Sequence, residues 1–241
     1  FILLSLLVSI NSISQNNERK FKIHTLAFYN LENLFDTIND TNKNDEASPI
    51  MEIKYNRGKI YKKKISNMAR VISEIGYDVT NRPPTIIGIC EVENRKVVED
   101  LIANEKLSNH NYGIVHYDSP DRRGIDVGLL YNKDIFEILN SNSHELYITY
   151  NNTNDRSYTR DQLVVSGKLD GELIHLIVNH WPSRGADETK RIAAAEVNNS
   201  IIDSLRGIYK NPKIITMGDF NDDPFDKSIK KILGAKKEIN D

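Results

Sequence analysis

The 241-residue chain has one cysteine, almost no net charge and no apolar run as long as a membrane span. With Cys90 alone, neither an internal disulfide nor a cysteine-based zinc cluster can form. The 32 Lys and Arg residues nearly balance the 34 Asp and Glu residues, which gives a formal charge of −2 at pH 7. This balance argues against a broadly cationic nucleic-acid-binding coat but leaves room for a local basic patch. Because a membrane span takes about 20 apolar residues, no transmembrane segment is predicted.

What the chain does contain is the composition of an ordinary globular protein. Hydrophobic residues make up 39% of it and charged residues 27%, which argues against wholesale disorder. The length is sufficient to bury a core without disulfides. No internal repeat or linker-like stretch divides the sequence, so we predict a single domain over residues 20–241.

The N-terminal segment is the most apolar part of the chain. Residues 1–10 read FILLSLLVSI, small and polar residues follow at 11–15, and the first charge is Glu18. A short apolar run followed by small residues is typical of a secretory signal peptide. We predict such a signal over residues 1–15, with its charged start preceding Phe1, and therefore export to the periplasm or the extracellular space. The alternative is a buried N-terminal strand or helix.

Hydrophobic periodicity predicts more strands than helices. The predicted strands cover residues 23–29, 85–90, 113–117, 125–131, 146–150, 162–169, 172–179 and 213–217. The predicted helices cover residues 58–74, a short segment around 97–102, and residues 187–205. Asp170-Gly171 lies between two strand patterns and is a strong hairpin signal. These patterns predict an α/β (α+β) fold in which two sheets pack together with helices outside.

Polar residues are concentrated at the ends of four predicted strands. These clusters are Tyr29–Asn33, Glu91–Asn94, Asn179–Arg184 and Gly218–Asp222. A rigid strand that presents carboxylates and amides at its end is a common way to position a functional site. The alternative for each cluster is a turn or a helix cap, where Asp and Asn are also frequent.

The residue types in these clusters suit metal-assisted attack on a phosphate. Mg²⁺ prefers a few carboxylate oxygens together with water and substrate phosphate. The candidate carboxylate ligands are Glu32, Glu91 and Asp219. Asn30 and Asn221 can orient a phosphate or a nucleophile, and His180 can donate a hydrogen bond to a phosphoryl oxygen or the leaving group. A bound cation would neutralise charge that develops in the transition state.

Four other features have simpler interpretations available. Arg184 either clamps a phosphate in bidentate fashion or faces solvent. Trp181 is interpreted as a packing residue at the edge of the site, and Cys90 as a small buried hydrophobe. The lysine run Lys62–Lys64 is interpreted as the solvated face of a helix, and no function is assigned to it.

Six short motifs carry a resemblance to a known family. In chain order they are Asn30–Asn33, Glu91 within Ile89–Glu93, Arg123–Tyr131, Thr159–Asp161, Asn179–Arg184 and Gly218–Asp222. This series resembles the endonuclease/exonuclease/phosphatase superfamily, which has the deoxyribonuclease-I-like fold, and in particular its secreted bacterial members. The resemblance spans about residues 23–224.

The resemblance implies a four-layer α/β/β/α sandwich, with two mixed sheets packed face to face and helices outside. It also implies the following roles at one rim of the sheets. Glu91 would be the principal Mg²⁺ ligand, with Mn²⁺ or Ca²⁺ as alternative ions, Glu32 would lie close to the metal, and Asn30 would orient the site. Asp219 and Asn221 would align the attacking water and hold the phosphate, His180 would be a catalytic histidine, and Arg160 would contact a substrate phosphate. Asp126 would organise the site through a hydrogen bond; its alternative is a turn residue at a strand end.

The chain departs from the family pattern in one respect. Family members end with a strand that carries an Asp-His pair, and no such pair follows Asn221. We expect the domain at 20–241 to be incomplete at its C-terminus, and the 1–241 chain to be nearly inactive. The alternative is an inactive variant of the family.

Three functions remain open at this point. The leading one is a secreted, metal-dependent phosphodiester hydrolase, a nuclease that acts by in-line attack of activated water and works as a monomer without a stable protein partner. The second keeps the site but uses a phospholipid or sugar phosphate as substrate. The third is a non-catalytic binding module that retains the fold. A basic groove would favour nucleic acid, and an exposed apolar loop would favour lipid.

Overall fold

The computed structural model describes residues 21–150 and 153–236. The predicted signal at residues 1–15 lies outside these ranges. Within them, no helix has both the length and the apolar character needed to cross a bilayer.

Most of the strands form two four-stranded mixed sheets. Their bounds are β1 Leu26–Leu34, β2 Ile86–Val92, β3 Tyr112–His116, β4 Asp126–Asn132, β5 Phe136–His144, β6 Ile148–Thr149, β7 Arg156–Ser157, β8 Gln162–Leu169, β9 Glu172–His180 and β10 Lys213–Asp219. The first sheet has the order β1-β2-β4-β3 and the second β10-β9-β8-β5, while β6 and β7 pair with each other. β1 is parallel to β2 and β9 is parallel to β10; the other pairs are antiparallel.

The helices cover the outer faces of the two sheets. Their bounds are α1 Pro49–Glu52, α2 Arg57–Glu74, α3 Tyr77–Thr80, α4 Arg95–Ile102 and α5 Glu188–Ile208. Short 3-10 turns lie at Asp45–Ala47 and Ser108–His110, and one π-helical turn lies at Ser228–Ile232. α2 and α4 pack on the first sheet, and α5 packs on the second.

Alternation along the strands explains this layering, because successive side chains in a strand point to opposite faces. In β2, Ile87 and Ile89 contact α2 and α4, whereas Ile86 and Cys90 face the second sheet. In β8, Val164 packs against α5, whereas its neighbours face the first sheet. The predicted four-layer α/β/β/α sandwich is therefore confirmed.

The hairpin between β8 and β9 is confirmed as well. Asp170 and Gly171 have φ values of 49° and 88°, which match a two-residue turn with positive φ at both positions. The sequence did not predict β5, an edge strand whose second half, Asn140–Ser143, is polar. The predicted strand at 146–150 was wrong in extent, since only Ile148 and Thr149 are paired there.

Candidate metal and phosphate site

Four predicted site residues meet at one rim of the sandwich. Asn30 and Glu91 come from the parallel strands β1 and β2, and His180 and Asp219 are the last residues of the parallel strands β9 and β10. Parallel neighbours place their carboxyl ends at the same edge of a sheet. Because the two sheets pack face to face, the two edges together form one site.

An irregularity in β2 aims the Glu91 side chain. Glu91 has φ 58°, and the pairing of β2 shifts register between Cys90 and Val92 against β4. The pairing with β1 shifts between Asn30 and Leu34. β-bulges of this kind re-aim a side chain and are common beside functional sites, and a positive φ at a non-glycine residue persists only where surrounding contacts hold it.

Asn30 connects the two carboxylates across the gap between the sheets. Its Nδ2 donates to Glu91 Oε1 and to Asp219 Oδ2, at 3.1 Å in each case. The other Glu91 oxygen accepts the backbone N–H of Asn33 at 2.9 Å. Two carboxylates held this close repel each other unless donors or a cation offset their charge.

The arrangement fits a divalent cation. Ligand atoms of Glu91, His180 and Asp219 all lie within 4.8 Å of one another. The Nδ1 atom of His180 is buried and has no hydrogen-bond partner among the residues described. Carboxylate oxygens suit Mg²⁺ and Mn²⁺, and an imidazole nitrogen suits the transition metals.

The His180 ring is electrically neutral. Burial, with the nearby guanidinium groups of Arg160 and Arg123, lowers the pKa of His180 to about 3. Its Nε2 lies 3.7 Å from Glu91 Oε1, and because the ring is neutral this contact is not an ion pair. A neutral imidazole offers one N–H donor and one lone pair, which are the functions needed beside a phosphate or a cation.

Asn221 is held next to these four residues. It has φ 51°, its backbone N–H donates to Asp219 Oδ1 at 3.0 Å, and its side-chain amide donates to the Trp181 carbonyl at 3.0 Å. Arg184 is exposed; it contacts the Asn221 carbonyl at 3.2 Å and pairs with Asp223. In this structure Arg184 braces the loop after β10, and its contact with a substrate stays a prediction.

Arg160 lies behind the site in a buried position. It is only 5% exposed, its Nη1 binds Asp121 Oδ2 at 3.3 Å, and its Nη2 donates to the Trp181 carbonyl. Asp121 is shared with Arg123, whose guanidinium donates to both of its oxygens. These contacts brace the backbone next to His180, and a direct contact between Arg160 and a substrate phosphate remains a prediction.

Asp126 and Glu32 are not part of the four-residue group. Asp126 is buried, and its carboxylate accepts the Ser119 N–H at 2.8 Å and contacts His116 Nε2 at 3.1 Å. Glu32 is exposed with φ 50°, and its backbone N–H donates to Asn30 Oδ1 at 2.7 Å. Its backbone thus orients Asn30, while its expected proximity to a metal stays a prediction.

A buried amide network fixes the strand ends behind the site. The Asn179 amide donates to Thr216 Oγ1 at 3.0 Å and to the Met217 carbonyl at 3.1 Å. Its oxygen accepts Trp181 Nε1 at 3.1 Å and Asn198 Nδ2 at 3.0 Å. These hydrogen bonds join the end of β9 to β10 and to α5, and they limit the movement of the strand ends. Beyond the polar character of its members, no sequence pattern predicts this network.

Two glycines allow close approaches, Gly218 between neighbouring strands of the second sheet and Gly88 between the two sheets. A Cβ atom on Gly218 would lie 2.4 Å from the backbone oxygen of Asn179, and one on Gly88 would lie 2.7 Å from Met217 Sδ. Real Cβ atoms do not come this close to other atoms. Gly218 therefore allows the tight β9–β10 contact that places the following residue in the site.

Lys64 contributes to the candidate site, although no function was predicted for it from the sequence. Its neighbours Lys62 and Lys63 are exposed as expected, but Lys64 is half-buried and donates to the carbonyls of Glu32 and Asn33. Glu32 and Asn33 both have positive φ and form a turn, and the Asn33 N–H of this turn donates to Glu91. Lys64 therefore holds the turn that orients Glu91. No sequence signal separates it from its two neighbours, since all three are helical lysines.

Replacing Lys64 with methionine is expected to lower the affinity for Mn²⁺ and the kcat/KM about five- to tenfold each, because a charged hydrogen-bond donor to the turn is lost. Titration calorimetry and steady-state kinetics measure the two quantities. Lys63→Met, one residue away and exposed, is the matched control and should behave like wild type. Equal behaviour of the two variants would contradict a positioning role.

Comparisons with known proteins bear on the family and on the fold. A family model described as the Endonuclease/Exonuclease/phosphatase family matches residues 25–241. Similar solved structures include a mannosyl-6-phosphatase from Bacteroides thetaiotaomicron, with 20% identity, a TM-score of 0.58 and coverage of 87% of this chain and 69% of that one. The catalytic domain of human nocturnin, with a bound sulfate anion, gives 18% identity, a TM-score of 0.52 and coverage of 69% and 60%. Truncated TDP2 from Caenorhabditis elegans gives 17% identity, a TM-score of 0.50 and coverage of 67% and 56%.

At these identities the structural likeness bears on the fold alone. The chain spans 60% of the nocturnin domain and 56% of the TDP2 chain. No curated protein matches the sequence. The family model, however, covers every residue of the chain from 25 to 241. The chain belongs to the endonuclease/exonuclease/phosphatase family.

Proposed function

We propose that this protein is a Mg²⁺-dependent phosphodiester hydrolase that acts on nucleic acid. One observation carries the proposal: Asn30 donates hydrogen bonds to both Glu91 and Asp219, and the neutral imidazole of His180 lies beside Glu91. Membership of a phosphoesterase family supports the hydrolytic chemistry. Mn²⁺ and Ca²⁺ are the alternative ions, because the same oxygen donors accept them.

Each residue has a separate task in the proposed reaction. Glu91 and Asp219 would hold the cation. Asn30 donates a hydrogen bond to each carboxylate and keeps the two in position. Asp219 and Asn221 orient a water molecule for in-line attack, and the N–H of His180 faces a phosphoryl oxygen. A bound Mg²⁺ supplies charge neutralisation at the phosphate and lowers the pKa of coordinated water.

We also infer that the protein is an exported monomer. The apolar segment at residues 1–10, with small residues after it, supports export. Fractionation of cells and light scattering of the purified protein measure the two properties. Retention in the cytoplasm, or a stable dimer, would contradict them.

A substrate panel tests the proposed function. Because the chain spans only part of the similar structures, the assay uses the full reading frame that contains it. With Mg²⁺ the protein should cleave oligonucleotides and bis-p-nitrophenyl phosphate, and excess EDTA should abolish both activities. Asp219→Asn is the matched inactive control.

The other outcomes of the panel identify the alternatives. Turnover of mannose 6-phosphate or phosphatidylcholine with no cleavage of oligonucleotides would replace the nuclease assignment by a sugar-phosphate or phospholipid one. Absence of any metal-dependent turnover, together with absence of metal binding, would favour a non-catalytic module.

A further inference from the structure

Aromatic and cationic side chains alternate on one exposed surface of the protein. The Arg156 guanidinium lies over two rings, with its Cζ 5.2 Å from the Tyr147 ring centre and 4.7 Å from that of Tyr158. The Arg122 guanidinium lies over the same Tyr158 ring at 4.8 Å. The order Tyr147, Arg156, Tyr158, Arg122 is therefore a continuous stack.

A second aromatic–cation pair extends this surface. Lys190 Nζ, from the first turn of α5, lies 4.4 Å from the Tyr150 ring centre. We call the six residues the Tyr–Arg surface: Arg122, Tyr147, Tyr150, Arg156, Tyr158 and Lys190. Its tyrosines are 59%, 48% and 41% exposed at 147, 150 and 158, so part of each side chain reaches solvent. Tyr158 lies between two guanidinium groups, whereas Tyr147 and Tyr150 each contact one cation among the residues described.

Three of the six residues of the Tyr–Arg surface are cations and none is a carboxylate, on a chain whose formal charge is −2. Arg156 pairs with Glu145, which offsets one charge. Among residues 21–150 and 153–236, no carboxylate pairs with Arg122, and Lys190 Nζ bonds the Ser157 hydroxyl at 2.9 Å. Two cations on the surface are thus left without a carboxylate partner.

The chain connects this surface directly to the candidate site. Tyr158 precedes Arg160 by two residues, and Arg160 binds the carbonyl that follows His180. Arg122 precedes Arg123, which shares Asp121 with Arg160. The Tyr–Arg surface is therefore linked to the backbone beside His180 through Arg160, Asp121 and Arg123.

We propose that the Tyr–Arg surface binds single-stranded nucleic acid and leads it toward the site. The inference rests on the proposed function and deepens it by naming the form of the substrate. Sequence-tolerant single-strand binding combines cations for phosphates with aromatic or guanidinium planes for unpaired bases. A duplex hides the base faces in its own stack, so a stacking surface selects the single strand. Binding of a neutral glycan would not need the cations of this surface, and binding of an anionic lipid surface would not need its aromatic ring planes.

Binding of fluorescein-labelled oligo(dT) of about 12 nucleotides tests this inference, since one single-strand-binding module contacts about 4–16 nucleotides. Fluorescence anisotropy is measured in EDTA, so that cleavage plays no part. Tyr147→Ala and Tyr158→Ala should each weaken binding about tenfold, and Arg122→Gln about fivefold with a shallower salt dependence. Tyr77→Ala removes an equally exposed tyrosine on α3 and should bind like wild type.

Two results with oligonucleotides would overturn the inference. One is unchanged affinity in both tyrosine variants, and the other is equal affinity for the oligonucleotide and for its duplex. Phosphatidylglycerol vesicles and dextran are included as ligands, and tyrosine-dependent binding to either one in place of oligo(dT) would overturn it as well.

The binding test is separate from the test of the proposed function. Tyrosine-dependent binding without hydrolysis of any substrate would support nucleic-acid binding at the Tyr–Arg surface and refute the proposed hydrolase activity. Hydrolysis of bis-p-nitrophenyl phosphate without tyrosine-dependent binding would support the proposed hydrolase activity and refute nucleic-acid binding at the Tyr–Arg surface.

Discussion

Replacing Glu91 with glutamine is expected to lower kcat/KM on a phosphodiester at least about 1,000-fold while the fold is retained. The amide keeps the shape of the side chain and can still accept the Asn33 N–H. It removes the negative charge that would hold the cation and places an N–H₂ group among the other ligands. Steady-state kinetics with saturating Mg²⁺ measure the loss, and circular dichroism checks the fold.

Glu93→Gln is the matched control for that variant. Glu93 lies two residues further along, is buried, and accepts the backbone N–H of Asp36 at 2.7 Å. Burial raises the pKa of Glu93 to about 7, so a large part of it is already uncharged at neutral pH. Activity should stay within about twofold of wild type. A comparable loss in both variants would show that disturbance of β2, and not the Glu91 charge, causes the effect.

Asn30→Leu is the second substitution with a large expected effect, because Asn30 donates to both carboxylates. Leucine has nearly the same shape but no donor, which leaves two neighbouring carboxylates in repulsion. We expect kcat to fall about 100-fold and the free energy of unfolding to drop by about 1–3 kcal/mol. Kinetics across a Mg²⁺ series and urea unfolding measure the two effects.

The Mg²⁺ series also separates positioning from simple metal loss. If Asn30 positions the two carboxylates, saturating Mg²⁺ does not restore kcat in the leucine variant. A kcat within about threefold of wild type would contradict the role of the bridge.

Much of the fold could be predicted because local patterns agree with the final packing. The continuous apolar run Ile86–Cys90 predicts a strand buried on both faces, and Asp170-Gly171 predicts the hairpin turn. β5 was missed because Asn140–Ser143 lacks the alternation on which strand prediction depends. As an edge strand, it is stabilised by pairing with β8, which is more than 15 residues away in the chain.

The candidate site was predictable as strand-end clusters but not as a geometry. Glu91 is aimed by a bulge that arises only when β2 pairs with β1 and β4 at once. The contact of Asn30 with Asp219 joins residues 189 positions apart. Lys64 reaches the turn after Asn30 only because α2 packs over the first sheet. Each of these features depends on tertiary contacts, for which a single sequence carries no local signal.

Calorimetric titration with Mn²⁺ tests most directly whether Glu91 and Asp219 share one cation. Four proteins are compared: wild type, Glu91→Gln, Asp219→Asn and the double variant. We predict binding in wild type, at least about tenfold weaker binding in each single variant, and little further loss in the double variant, because both carboxylates bind one ion. Wild-type affinity in the double variant would show that these carboxylates do not hold the cation.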